Sequence, residues 1–131
     1  MRFALSIMLS AAAVLSACAD SSTRSVPAGR MYTDIGRDGA SFTGRYSPSD
    51  FSQSQVRFMI SSVVCGNSGL SNFAQETVEG QIRFSATCDE GSPYGPSAGV
   101  NFFLRSPGIV EYFATFESNG AIVQESAALK I

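Results

Sequence analysis

Side chains that could perform acid–base or nucleophilic chemistry are few in this chain. None of its 131 residues is histidine, which excludes Ser-His-Asp and Cys-His arrangements and any imidazole metal ligand. Serines are plentiful, but the single lysine is Lys130, so a Ser-Lys dyad would depend on the last two residues. Cys65 and Cys88 do not form a Cys-x-x-Cys, and with no histidine to complete a site they make a poor redox or metal pair. A phosphate-cradling glycine loop, a dinucleotide fingerprint and a spaced acidic calcium loop are all missing. The pattern implies no cofactor and no metal.

Two places remain where chemistry or recognition is conceivable. Glu125 falls on the apolar side of a strand, in line with Val123, Ala127 and Leu129. A buried carboxylate is costly unless paired, so it belongs at a sheet edge or beside an arginine such as Arg45 or Arg57. Its alternative role, the acid of a carboxylate-dependent hydrolase, rests on one acid with no visible partner. The second place is the run from Asp89 to Ala98, DEGSPYGPSA. Asp89, Glu90 and Tyr94 sit there on a connection stiffened by two prolines, and preordered loops with a tyrosine lose little entropy on binding. Phe113 is an aromatic among polar neighbours, Glu111, Thr115, Glu117 and Gln124. With Phe103 it would form an interaction patch under one of two strand registers.

The elements that must position these residues are legible in part. Residues 31–39 are ambiguous, and 40–46 read as a short strand. Ser47-Pro48-Ser49-Asp50 supplies a helix start. Val56, Met59, Ile60, Val63 and Val64 then recur at helical spacing before Gly66. The β-branched residues of 56–65 favour a strand instead, but cap, period and stop agree on a helix. From residue 70 the chain reads as strands, with 80–88 alternating Ile82, Phe84, Ala86 and Cys88 against polar residues. Asn119-Gly120 is a strong two-residue hairpin signal. It predicts Phe116 opposite Val123, Tyr112 opposite Ala127, and Val110 opposite Leu129. Around Ser106-Pro107-Gly108, turn chemistry places Phe102 beside Phe113, whereas the apolar pattern places it beside Tyr112.

The first eighteen residues, MRFALSIMLSAAAVLSAC, have a basic residue at Arg2, an apolar run from Phe3 to Val14, and Leu15-Ser16-Ala17 before Cys18. The run is shorter than the ~20 residues a transmembrane helix needs and suits a secretory segment. This stretch resembles the lipobox of bacterial lipoprotein precursors, in which the cysteine is acylated and the chain is cut just before it. The resemblance implies a lipid anchor at Cys18, with about 0.8 kcal/mol of membrane affinity per buried methylene. It implies a bacterial envelope location, and Ala19 after the cysteine leans toward the outer membrane, facing the periplasm. Residues 1–17 are then a signal peptide, 18–30 the lipidated cysteine with a Ser/Pro/Gly-containing tether, and 31–131 a single domain.

With Cys18 committed to lipid in an oxidising compartment, Cys65 and Cys88 are left as an even pair. The resemblance therefore implies one disulfide, worth roughly 3 kcal/mol through the unfolded chain. Past residue 17, eight basic residues face eleven acidic ones (nine minus Arg2, against eleven). That balance argues against a nucleic-acid partner, which needs a clustered basic face. The expected fold class is α+β: one helix packed on a four- to five-stranded antiparallel sheet, with one disulfide. The expected function is a non-catalytic, membrane-anchored interaction module meeting an envelope protein. An inhibitor of a foreign lysozyme or protease is the alternative, and a hydrolase using Glu125 the least favoured reading.

Overall fold

The computed structural model describes residues 26–131, so Cys18, the signal segment and most of the expected tether lie outside the described residues. The strands are β1 (Arg30–Ile35), β2 (Ser41–Tyr46), β3 (Leu70–Val78), β4 (Gln81–Cys88), β5 (Gly99–Ser106), β6 (Ile109–Ser118) and β7 (Ala121–Lys130). A helix, α1 (Gln53–Met59), lies between β2 and β3 and continues into a π-helical turn over Ile60–Val64. All seven strands form one antiparallel sheet in the order β3-β4-β2-β1-β5-β6-β7. The α+β class with one helix and one disulfide therefore holds, but the sheet has seven strands, not four or five. Strand β1, overlapping the ambiguous 31–39, accounts for one of the additional strands. There the inward row of β1 is Met31, Thr33 and Ile35, and a polar residue in an inward row hides the alternation. Thr33 is buried, and its hydroxyl donates to the Val100 carbonyl oxygen at 2.7 Å, which makes the burial tolerable.

The helix begins five residues later than Ser47 suggests. Ser52 caps it: its side chain accepts from the Gln55 N–H at 3.2 Å, and Gln55 Oε1 accepts from the Ser52 N–H at 3.0 Å. Ser47 to Asp50 instead form a turn, with the Asp50 N–H donating to the Ser47 carbonyl oxygen at 3.0 Å. Proline at the second turn position suits either structure. The turn wins because it swings Phe51 into the core, where it is 2% exposed. Asp50 serves elsewhere, accepting from the Gly29 N–H at 2.8 Å. Val26 is buried and exchanges two hydrogen bonds with the Gln81 side chain. Residues 26–29, expected in the tether, are thus docked on the sheet.

The apolar helical row packs as its spacing requires, with Val56, Met59, Ile60, Val63 and Val64 all buried. In the π-helical turn the Cys65 N–H reaches back to the Ile60 carbonyl oxygen at 2.9 Å. The wider turn lets Val63, Val64 and Cys65 all face the sheet, and Gly66 ends it at φ +60°. Cys65 is bonded to Cys88, with their Cα atoms 5.2 Å apart. This bond ties the helix end to the end of β4.

The β6–β7 register matches the Asn-Gly expectation, pairing Phe116 with Val123, Tyr112 with Ala127 and Val110 with Leu129. Asn119 and Gly120 both have positive φ, 52° and 79°. The β5–β6 hairpin satisfies both competing signals. Ser106 pairs with Ile109 around Pro107-Gly108, and a bulge at Arg105 shifts the register so that Phe102 pairs with Tyr112. Turn chemistry governs the tip, and the apolar pattern governs the strands.

Gly44 is where β2 is thinnest. Phe84 lies over it from β4, in contact with the rings of Phe42, Tyr46 and Phe73 at centroid distances of 6.4, 5.9 and 6.1 Å. A Cβ on Gly44 would sit 2.5 Å from the Tyr32 carbonyl oxygen and closer still to Phe84 Cζ. Gly44→Ala is accordingly expected to cost about 1–3 kcal/mol, the usual range for overpacking. Urea denaturation measures it, and a midpoint equal to the wild type's would refute the packing described.

Candidate functional site

Strand side chains alternate, so the sheet has two faces with different fates. The helix-bearing face presents Met31, Thr33, Ile35, Phe42, Tyr46, Phe84, Ala86, Cys88, Val100, Phe102, Val110 and Ala114, every one buried. On the opposite face, among the described residues of β1 to β7, no residue is buried. This is the open face. It carries Arg30, Arg45, Arg83, Arg105 and Lys130, interspersed with Asp34, Glu76, Glu111 and Glu117, and three aromatics, Tyr32, Phe103 and Phe113.

Register sets these side chains in rows. One row reads Glu76, Arg83, Arg45, Tyr32, Asn101, Phe113, Ser126 across all seven strands. The next reads Ala74, Ser85, Thr43, Asp34, Gly99, Thr115, Gln124, and its side chains are short. The step between a long and a short row makes a groove of about 580 Å³, lined by Tyr32, Asp34, Thr43, Arg45, Glu76 and Arg83 among others. Arg45 and Arg83 are directly opposite each other on β2 and β4. Like charges at directly opposed strand positions are unfavourable unless acidic residues lie nearby. Glu76 lies across from Arg83, and Asp34 sits diagonally from Arg45.

At the other end of the same face Phe103 is covered by arginine. The guanidinium carbons of Arg30 and Arg105 lie 4.8 and 5.2 Å from the Phe103 ring centroid. Phe113 meets Phe103 edge-on, with centroids 5.3 Å apart and planes at 88°. Arg105 also pairs with Glu111 Oε1 at 2.6 Å. Phe103 and Phe113 therefore form one contiguous patch, under the register the apolar pattern favoured.

The proline loop lies elsewhere and is not a protruding arm. The Ser92 N–H donates to the Gly39 carbonyl oxygen at 2.7 Å and the Ser97 N–H to the Gly36 carbonyl oxygen at 3.1 Å. Pro93 and Pro96 pack beside Gly66 and Gly39. Tyr94 turns inward onto the helix-bearing face, its ring centroid 5.4 Å from that of Phe116. Asp89 and Glu90 are exposed at the loop's start. Tyr94 and Phe113 thus stand on opposite sides of the sheet, and the structure does not bring them into one surface. Glu125 is exposed on β7, an edge strand, opposite Ala114. Edge placement explains it without an arginine partner.

The two acids that line the groove are poorly placed for paired-carboxylate hydrolysis. Asp34 and Glu76 are three strand spacings apart, roughly 14 Å, against about 5–9.5 Å for glycosidic pairs. Among the described residues no group of three or more acidic or cysteine side chains could hold a metal ion. The arrangement is suited to holding a polar partner by charge, hydrogen bonds and aromatic contact. No protein-family model, curated protein or solved structure matches the chain.

Sequence reasoning named Arg45 only as a possible partner for Glu125, which lies on a different strand, and missed Arg45, Arg83 and Tyr32 as neighbours on the open face. Arg83 was visible as the polar side of an alternating strand, but its neighbour across β2 depends on a pairing between distant segments. Tyr94 offers a pH test of the loop's anchorage. Burial, then the charges of Tyr112 and Glu125, then a hydrogen bond with Tyr112 push its hydroxyl up from 10 to about 12. A raised pKa in the fold leaves stability intact below pH 10 and removes it as pH climbs from 10 through 12. Tyr94→Phe should flatten that alkaline loss in thermal melts, and an unchanged alkaline slope would show that the ring is not buried there.

Proposed function

We propose that this chain is a bacterial envelope lipoprotein, anchored through acylated Cys18, whose domain is a non-catalytic binding module using the open face of its sheet. One observation carries the reading. Helix and proline loop both cover the same face, and the other has no buried strand residue and carries a groove, two arginines opposite in register and an aromatic patch. Half-buried arginine and aromatic side chains held on a rigid sheet lose little further entropy when a partner binds. The mixture of charge signs favours a protein partner with complementary charges over an apolar one, and disfavours nucleic acid. The Cys65–Cys88 bond agrees with an oxidising compartment such as the periplasm.

The anchor and short spacer would display this face close to the outer membrane. Inhibition of a lysozyme or protease by an inserted loop gains no support, because Tyr94 is committed to Phe116 and both prolines to neighbouring turns. A photo-crosslinker at Thr43 or Phe113 in the full chain should capture one defined envelope protein, and one on the helix at Phe58 should not. Arg83→Glu should reduce that capture at least about tenfold, as losing a charge-assisted contact does. Cys18→Ala should release the protein from the membrane fraction. Capture independent of position, or membrane retention without Cys18, would contradict the proposal.

A further inference from the structure

The two edges of the sheet are built differently. β3 is interrupted by a bulge between Ser71 and Ala74, with Asn72 at φ 56°, and bulges twist an edge away from partners. β7 is ten residues long, pairs with β6 without interruption and is exposed along most of its length on both faces. Its Ile122 is 75% exposed. Because the Asn119-Gly120 turn makes Ser118 and Ala121 a hydrogen-bonded pair, odd residues of β7 bond to β6. Ile122, Gln124, Ser126, Ala128 and Lys130 therefore aim their N–H and C=O groups off the sheet.

We infer that β7 pairs with β7 of a second copy of this chain, antiparallel about a two-fold axis at Ser126, making a continuous fourteen-strand sheet from two of the seven-strand sheets. The sequence of the strand selects the register. Residues opposite each other must share a face, so the axis passes through a residue. An axis at Glu125 would set two carboxylates directly against each other. Shifting it by one residue to Ser126 keeps the same overlap and removes the clash. Val123 then faces the partner's Leu129, Glu125 the partner's Ala127, and Gln124 the partner's Ala128. Ile122 faces the partner's Lys130, whose aliphatic stem can cover it. About ten backbone hydrogen bonds would close the seam. Glu125 thereby acquires a role as the residue that forbids the neighbouring register. A seam of one strand edge without a packed core behind it makes a weak and reversible dimer. This inference is independent of the open-face proposal and of the anchor.

Cysteine crosslinking in the full chain, in a Cys18→Ala background at high protein concentration, tests both pairing and register. Ser126→Cys should give a covalent dimer with a short bis-maleimide at least about tenfold faster than Gln124→Cys or Ala128→Cys alone, whose Cα atoms lie about 14 Å from their own copies. Mixing Gln124→Cys with Ala128→Cys should restore crosslinking. Adding Ser126→Pro to that mixture should abolish it while far-UV dichroism stays unchanged, since this N–H is not bonded to β6. No dimer at position 126, equal rates at all three positions, or capture of a different protein by β7 would overturn the inference.

Discussion

The covalent bond between Cys65 and Cys88 fixes which face of the sheet the helix covers, and strand alternation carries that choice across the molecule. With Cys88 turned inward, Ala86, Phe84 and Ile82 must follow, and Arg83, Ser85 and Thr87 must face away. Pairing passes the same parity to β2, where Phe42, Gly44 and Tyr46 point in and Arg45 points out. β1 inherits it in turn, with Met31, Thr33 and Ile35 inside and Tyr32 and Asp34 outside. A one-residue slip of β2 against β4 would turn Arg45 beneath the helix and Phe42 and Tyr46 outward. The stacking of Phe84 over Gly44 is the close contact that resists such a slip.

How far this was readable in the chain depended on the range of the contact. The last hairpin was legible because an Asn-Gly turn and its flanking apolar residues lie within a dozen positions. The helix was legible from its row, from Val56 to Val64, although its start was misplaced. Ser47 supplied the expected start, whereas the Ser52–Gln55 capping box and the burial of Phe51 set it five residues later. Strand β1 was obscure because Thr33 interrupts its apolar row and is satisfied by a carbonyl on β5, 67 residues away. The open face was the least legible part. Its members come from all seven strands, and no local window holds Arg45 beside Arg83.

The proline loop illustrates a general hazard in reading recognition from composition. Asp89 to Ala98 has the acids, tyrosine and prolines of an exposed contact loop. In the fold its prolines seat against Gly39 and Gly66, and its tyrosine closes the end of the core beside Phe116. The stiffness that would suit a contact loop serves here to cover β6. Helix and loop share one face, and the proposed partner-facing role falls to the other.

The central claim is that the open face meets a partner in the envelope and the helix-bearing side does not. Hydroxyl-radical footprinting, comparing intact membranes with the purified chain in detergent, tests it most directly. Tyr32, Phe103 and Phe113 should be oxidised several-fold more slowly in membranes, while the exposed Phe58 on the helix is oxidised equally in both. Equal oxidation of Tyr32, Phe103 and Phe113 in the two preparations, or protection confined to Phe58, would contradict the account.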